Sequence, residues 1–273
     1  MKTLTFSIIT PSLNQGRYIE ETIQSVIYQE GDFAIDYIIM DGGSTDNTLE
    51  IIKRYDKLIN SKAFRPKCKR LSLRWFSEKD RGQSHAINKG FQIAKGDILS
   101  WLCSDDLLAS GALQAVNNVL KNEKMQIVFG DSVAVDAQGK KKEVLKGKEF
   151  TRKELLRPWC DILHMFYIPQ PSVFLRKEVF DKVGPLDEKN HLCMDYDLWI
   201  RMNDHFEFHY LNKILSKMRF HKSAKSVKQK YQQYDMMVAI SKKYWDESKL
   251  YKLSYYKWYP YRLISRMIGQ LIS

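Results

Sequence analysis

Long apolar runs are missing from this chain. No stretch approaches the roughly 18–20 consecutive apolar residues that a bilayer crossing demands, and the N-terminus enters Phe6-Ser7-Ile8-Ile9 with no secretory-signal pattern. A cytoplasmic location is the expectation. Cysteine is sparse: Cys68, Cys103, Cys160 and Cys193 lie far apart with no CxxC pair, which argues against a zinc ribbon, a redox centre and a secreted disulfide framework, and for reduced thiols. Repeats and low-complexity tracts are absent. Acid is in deficit, 32 Asp and Glu against 44 Lys and Arg, for a net charge of +12. The basic excess gathers from Lys213 onward, while the first fifty residues are close to neutral or acidic. Such a balance favours an anionic partner. No helix-turn-helix, zinc-finger or RNA-recognition signature accompanies it, so nucleic acid is not expected; an anionic membrane surface fits the position of the excess better.

What is present is a regular alternation. With 44% hydrophobic and 28% charged residues over 273 positions, the chain can bury one large core or two small ones. Residues 5–10 form a β-branched and aromatic run; residues 18–29 carry Ile19, Ile23, Val26 and Ile27 at helical spacing. Residues 36–40 predict a second strand, after which Ser44 or Thr45 can cap a helix through Leu49, Ile51 and Ile52. Residues 71–76, 85–94 and 98–102 repeat the strand, helix, strand order, followed by a helix over 111–122 and a strand over 126–129. Residues 137–139 read as a hairpin tip; further on come a strand at 172–175, a helix over 195–203 and a strand over 206–211. This pattern predicts an α/β fold, a mainly parallel sheet flanked by helices, with ligands bound beyond the carboxyl ends of its strands. Asn14, Asp41, Asp80 and the pair Asp105-Asp106 all fall at such ends.

Adjacent carboxylates delivered to a loop by the apolar run 98–102 suit a hard divalent cation, Mg²⁺ or Mn²⁺, that completes its shell with substrate phosphates. His205 and His209 have metal-binding helical spacing, but Phe206, Phe208 and Tyr210 alternate as in a strand, which discounts a zinc site. Residues 242–273 interleave Lys and Arg with Trp and Tyr, a composition suited to the interface of an anionic bilayer. Packing on its own domain or on a second subunit is the competing reading.

Five motifs, Thr10-Pro11-Ser12-Leu13-Asn14, Asp41 to Thr48, residues 77–90 with Cys103-Ser104-Asp105-Asp106, Gln170-Pro171-Ser172 and Met194 to Trp199, stand in an order that resembles the family 2 glycosyltransferases. The resemblance spans about residues 4 to 226. It implies an inverting, nucleotide-sugar-dependent enzyme of GT-A (Rossmann-like) fold: a transferase domain over residues 1–222, with a nucleotide-sugar-binding half 1–106 and an acceptor half 107–222, and a helical, basic and aromatic extension over 223–273. Thr10, Pro11, Asn14 and Asp41 would line the base pocket, Asp80 and Arg81 would approach the ribose or diphosphate, and Asn88 would sit with them or clamp the motif. Asp105 and Asp106 match the metal-binding motif, with Asp105 also facing the donor. His221 resembles a histidine that closes over the diphosphate or joins the metal. Asp195 matches the general base, with Asp197 as the neighbouring candidate; Trp199 is core or stacks under a sugar ring. Cys103 and Met194 depart from the acidic or amide residues common at their positions.

The expected activity is transfer of a sugar from a nucleoside diphosphate sugar, a UDP-sugar favoured, to a glycan or lipid-linked glycan in surface polysaccharide or lipopolysaccharide synthesis, at the inner face of the cell membrane. Two rivals stand beside it. A nucleotidyltransferase typically carries a glycine-rich, basic triphosphate loop near its start, which residues 10–16 do not resemble. A non-catalytic nucleotide- or carbohydrate-binding domain needs no base.

Overall fold

Alternation of apolar side chains along the first strand decides the layering. In β1 (Thr5–Ser12), Phe6 and Ile8 join one hydrophobic core and Ile9 joins the other, so helices must cover both faces of the sheet. The computed structural model of the chain describes residues 2–158, 168–222, 224–245 and 255–256. After β1 come α1 (Ile19–Ile27), β2 (Gly31–Asp41), α2 (Thr48–Ile59), β3 (Cys68–Ser77), α3 (Gln83–Ile93), β4 (Ile98–Trp101), β5 (Leu107–Leu108) and α4 (Ala112–Leu120). The second half holds β6 (Ile127–Val135), β7 (Lys141–Leu145), α5 (Arg152–Leu155), β8 (Phe174–Arg176), α6 (Lys177–Val183), α7 (Met194–Asn203), β9 (Phe208–Arg219), α8 (Lys225–Lys228) and α9 (Lys230–Lys243).

These strands form one nine-stranded sheet in the order β3-β2-β1-β4-β8-β6-β9-β5, with β7 paired to β6. The β3-β2-β1-β4 block is parallel, as the alternation predicts; β8 runs antiparallel to both β4 and β6. Helices α1, α2 and α4 contribute Ile23, Val26, Ile52 and Leu113 to one core, while α3, α6 and α7 bring Ile87, Phe91, Val179 and Leu198 to the other. Pro11 does not end β1. Opposite Ile9, β4 stops at Trp101, so the missing Pro11 N–H lies beyond the last rung on that side.

Two further boundaries differ from expectation for local reasons. Helix α2 starts at Thr48 rather than after Ser44 or Thr45, because Ser44 is hydrogen-bonded to Asp41 and Thr45 to the Asn14 side chain. Strand β9 runs on to Arg219 instead of ending near 211; the register slips between Leu211 and Ile214, which breaks the period-two signal while the ladder to β6 resumes. His205 lies past the end of α7 and His209 within β9.

Beyond Lys222 the described residues pack on this unit. Ser241 Oγ donates to the Leu156 carbonyl at 2.6 Å, and Ile240 enters the core beside α7. Lys242 Nζ stands 4.1 Å from the Tyr255 ring centre. Most of 242–273 lies outside the described residues, as does Cys160; Cys68, Cys103 and Cys193 are free thiols. Among the described residues no helix is long and apolar enough to cross a membrane.

Candidate active site

Four parallel strands, β1 to β4, converge on one mouth at their carboxyl ends. The β1 exit turns through Asn14 at φ 53°, a left-handed conformation that Asn tolerates better than most side chains. Asn14 then ties the first loop to the second: its N–H donates to Ser44 Oγ at 2.7 Å, and its Oδ1 accepts from the Thr45 N–H at 2.8 Å. Thr10 is fully buried with its hydroxyl 3.1 Å from Tyr37 OH, and Pro11 is buried beside it. Asp41, at the end of β2, accepts from the Gly43 and Ser44 N–H groups, from Ser44 Oγ at 2.5 Å and from Ser77 Oγ at 2.7 Å. Those four bonds match the acceptor capacity of a carboxylate. Its charge therefore moulds the loop.

Asp80 leaves β3 on the adjacent side. Its Oδ1 accepts from the Gly82 N–H at 2.7 Å, where φ of 121° calls for glycine. Its Oδ2 lies over Gly42, 2.7 Å from where a Cβ would stand, so any side chain at 42 would displace the carboxylate. Arg81 is exposed and pairs with Glu188 at 2.7 Å. Asn88 is buried, and both ends of its amide are engaged with Leu186, at 3.0 Å to the carbonyl and 2.9 Å from the N–H.

Beyond β4, Cys103, Asp105 and Asp106 bring one ligand atom each within 4.8 Å of one another. Asp106 accepts the Arg219 N–H at 2.9 Å; Asp105 Oδ2 lies 3.0 Å from His221 Nε2. Burial, and then the neighbouring Asp105 charge, push the Asp106 carboxyl well above its ordinary pKa. Two adjacent carboxylates so placed are suited to a divalent cation, which would offset both the burial and the repulsion. Cys103 fits that donor set less well. Burial first, and the charges of Asp106, Asp105 and Asp195 next, raise its thiol, which keeps it protonated between Gln83 Nε2 at 3.1 Å and Gln170 Oε1 at 3.8 Å. Oxygen from Asp105 and Asp106 is the natural ligand for Mg²⁺ or Mn²⁺.

Asp195 lies in the first turn of α7, near enough for its charge to raise the Cys103 thiol. Desolvation raises its own carboxyl, against the opposing Tyr196 N–H at 2.8 Å. Asp197 is otherwise employed: Arg201 Nε donates to it at 2.9 Å and Tyr244 OH at 3.1 Å. Trp199, 3% exposed, stacks on Trp101 at 5.4 Å, so its ring belongs to the core and links α7 to the end of β4. A cavity of about 720 Å³ opens beside His221, with Arg17, Lys222 and Lys228 among its lining residues.

Sequence reasoning placed the strand exits but passed over Ser77, Gln83, Thr22 and Arg219. Ser77 and Gln83 lie inside the 77–90 motif; Thr22 and Arg219 act across the fold.

Comparison with known proteins agrees with the fold. The chain is 27% identical over 227 residues to an uncharacterized glycosyltransferase of Rickettsia felis, covering 81% of this chain and 35% of that one. It thus spans about a third of that relative's length. It is 28% identical over 199 residues to a PGL/p-HBAD biosynthesis glycosyltransferase of Mycobacterium bovis, covering 72% and 68%. Among solved structures, S. aureus TarS residues 1–349 in complex with UDP-GlcNAc superposes with a TM-score of 0.62 at 17% identity, covering 91% of this chain and 69% of that one. Mannosyltransferase PcManGT from Pyrobaculum calidifontis, in complex with GDP-Man and Mn²⁺, gives 0.63 at 16%, covering 90% and 66%. These likenesses carry the fold. The family model for glycosyl transferase family 2 matches residues 7–184, and the chain belongs to that family.

Proposed function

We propose that the chain is a metal-dependent inverting glycosyltransferase that moves a sugar from a nucleoside diphosphate donor, a UDP-sugar in the favoured case, to a hydroxyl of a glycan or lipid-linked glycan in surface polysaccharide or lipopolysaccharide synthesis. The observation that carries the reading is the cluster of Asp105 and Asp106 with Cys103, whose thiol also feels the charge of Asp195. Solved relatives of this fold hold UDP-GlcNAc, GDP-Man and Mn²⁺, which supports a nucleotide-sugar donor and a cation.

The division of labour follows from the placement of the side chains. Asn14 and Asp41 shape the loops that receive the base, with Thr10 and Pro11 beneath them. Asp80 offers Oδ2, which carries no hydrogen bond among the described residues, to the ribose or diphosphate. Mn²⁺ or Mg²⁺, held by Asp105 and Asp106 with His221 beside them, would supply neutralisation of charge on the departing diphosphate. Asp195 takes the proton of the acceptor hydroxyl as that oxygen attacks the anomeric carbon opposite the leaving group. Its raised pKa suits that task, since a base works best with a pKa closer to the working pH.

In this reading residues 1–106 bind the donor, residues 107–222 the acceptor, and the basic extension 223–273 docks the enzyme on the anionic inner face of the membrane. A thermal-shift screen of UDP, GDP, dTDP and CMP with and without Mn²⁺ tests the donor: a metal-dependent rise with a nucleoside diphosphate is expected, because only a ligand of the folded state stabilises it. No shift with any of them would refute it. Flotation with anionic liposomes, with and without residues 242–273, tests the docking; equal recovery of both forms in the soluble fraction would refute that part.

A further inference from the structure

The backbone of the metal loop is held by Thr22 of α1 and by a single arginine, which Tyr18 and Glu21 brace in turn. Arg219, 4% exposed, closes β9 two residues before His221. Its backbone N–H binds Asp106 Oδ1 at 2.9 Å, and its Nε donates to the Asp105 carbonyl at 3.0 Å. The two terminal nitrogens donate in other directions, to the Ala137 carbonyl at 3.3 Å and to Glu21 Oε2 at 2.8 Å. Beneath the guanidinium lies the Tyr18 ring, its centre 5.0 Å away, and that ring also lies 4.7 Å from the His221 ring. Thr22 Oγ1 lies 2.9 Å from the Ser104 carbonyl and 2.8 Å from that of Asp106. Tyr18, Glu21 and Thr22 stand at i, i+3 and i+4, one edge of the helix.

Every backbone carbonyl from Ser104 to Asp106 is thereby engaged by α1 or Arg219. The Asp105 and Asp106 carboxylates are left to bring one ligand atom each within 4.8 Å of one another. We propose that Arg219 is a positioning residue for the cation: it sets the spacing of the Asp105 and Asp106 carboxylates, and with Thr22 it determines how tightly the loop binds a divalent metal. The proposal rests on the metal-dependent reading given above. Lysine cannot replace it, because an ammonium on a flexible stem lacks the planar fork that reaches three acceptors in three directions.

The test is Mn²⁺ binding to the full chain, with free Mn²⁺ counted by its electron paramagnetic resonance signal, at a temperature where thermal melts show every variant folded. Arg219→Lys is expected to weaken Mn²⁺ binding roughly 10- to 100-fold, the usual cost of disturbing groups that orient metal ligands. Arg74→Lys, at a half-buried arginine paired with the buried Asp36 away from the mouth, is the stability control and should lower the melting temperature without moving Mn²⁺ affinity. Wild-type affinity in Arg219→Lys, or an equal loss in Arg74→Lys, would overturn the proposal. Should Arg219→Lys fail to fold, Thr22→Val takes its place: weakened binding supports the clamp, and unchanged binding removes it. A wild-type chain that takes up no Mn²⁺ would instead sink the metal reading itself.

Discussion

Asp36 and Asp106 are both buried aspartates, 4% and 8% exposed, and the protein treats them in opposite ways. Asp36 sits in β2 toward the amino end of the sheet, where Arg74 Nη2 reaches its two oxygens at 2.7 and 2.8 Å, with Ser7 Oγ at 2.7 Å and the Lys95 N–H at 3.0 Å. Asp106, at the carboxyl end of β4, accepts one backbone N–H and faces the like charge of Asp105. The first carboxylate is compensated by the protein. The second is compensated only in part: the N–H and charge of Arg219 oppose burial and Asp105 without overcoming them. That difference separates an anchor from a candidate site, which lies beyond the carboxyl ends of the strands.

The comparison yields graded predictions. Asp195→Asn, at the second undercompensated carboxyl, should leave nucleotide binding intact and lower turnover by roughly 10²–10⁴-fold, the span of general-base effects; a variant with normal turnover would remove its role. Asp106→Asn should reduce turnover by about 10²–10³-fold and abolish its Mn²⁺ dependence while the fold persists. Asp36→Asn should do the converse, costing about 3–5 kcal/mol of stability by stranding the Arg74 charge while Mn²⁺ affinity stays put. If urea melts showed Asp106→Asn as the more destabilised of the two, the contrast would fail.

A pH series sharpens the same point. The raised Asp106 pKa means that the folded chain binds this proton more tightly than the unfolded chain does. Without a cation its contribution to stability is complete below about pH 4, the ordinary range of an unfolded aspartate, and is lost as the pH climbs through the folded value. Mn²⁺ should restore stability at neutral pH, and Asp106→Asn should flatten the slope; identical slopes would contradict the assignment. The smallest effect belongs to Arg81→Ala. Its pair with Glu188 is solvent-exposed, 69% at the arginine, so its removal should cost no more than about 1 kcal/mol in a thermal melt.

The run from β1 to β4 was legible because each buried strand is apolar on both faces and each helix carries one apolar stripe. For the same reason the strand exits, and with them Asp41, Asp80, Asp105 and Asp106, could be placed from periodicity alone. The second half hides its order. The register slip in β9 puts Asn212 and Lys213 out of phase, and α5 and α8 span four residues each, too short for a helical period to show. Roles set by distant contacts were equally invisible. Nothing near Asp41 announces Ser77, and nothing near Tyr18, Glu21 and Thr22 announces that the first two meet Arg219 and the third the loop after β4.

The central claim is that Asp105 and Asp106 together hold a divalent cation against a nucleoside diphosphate. Crystals of the full chain grown with UDP and Mn²⁺, measured for anomalous scattering at the manganese edge, address it most directly. The account predicts a manganese peak bridging the two carboxylates and the pyrophosphate oxygens. Nucleotide bound at the mouth with no such peak would contradict it.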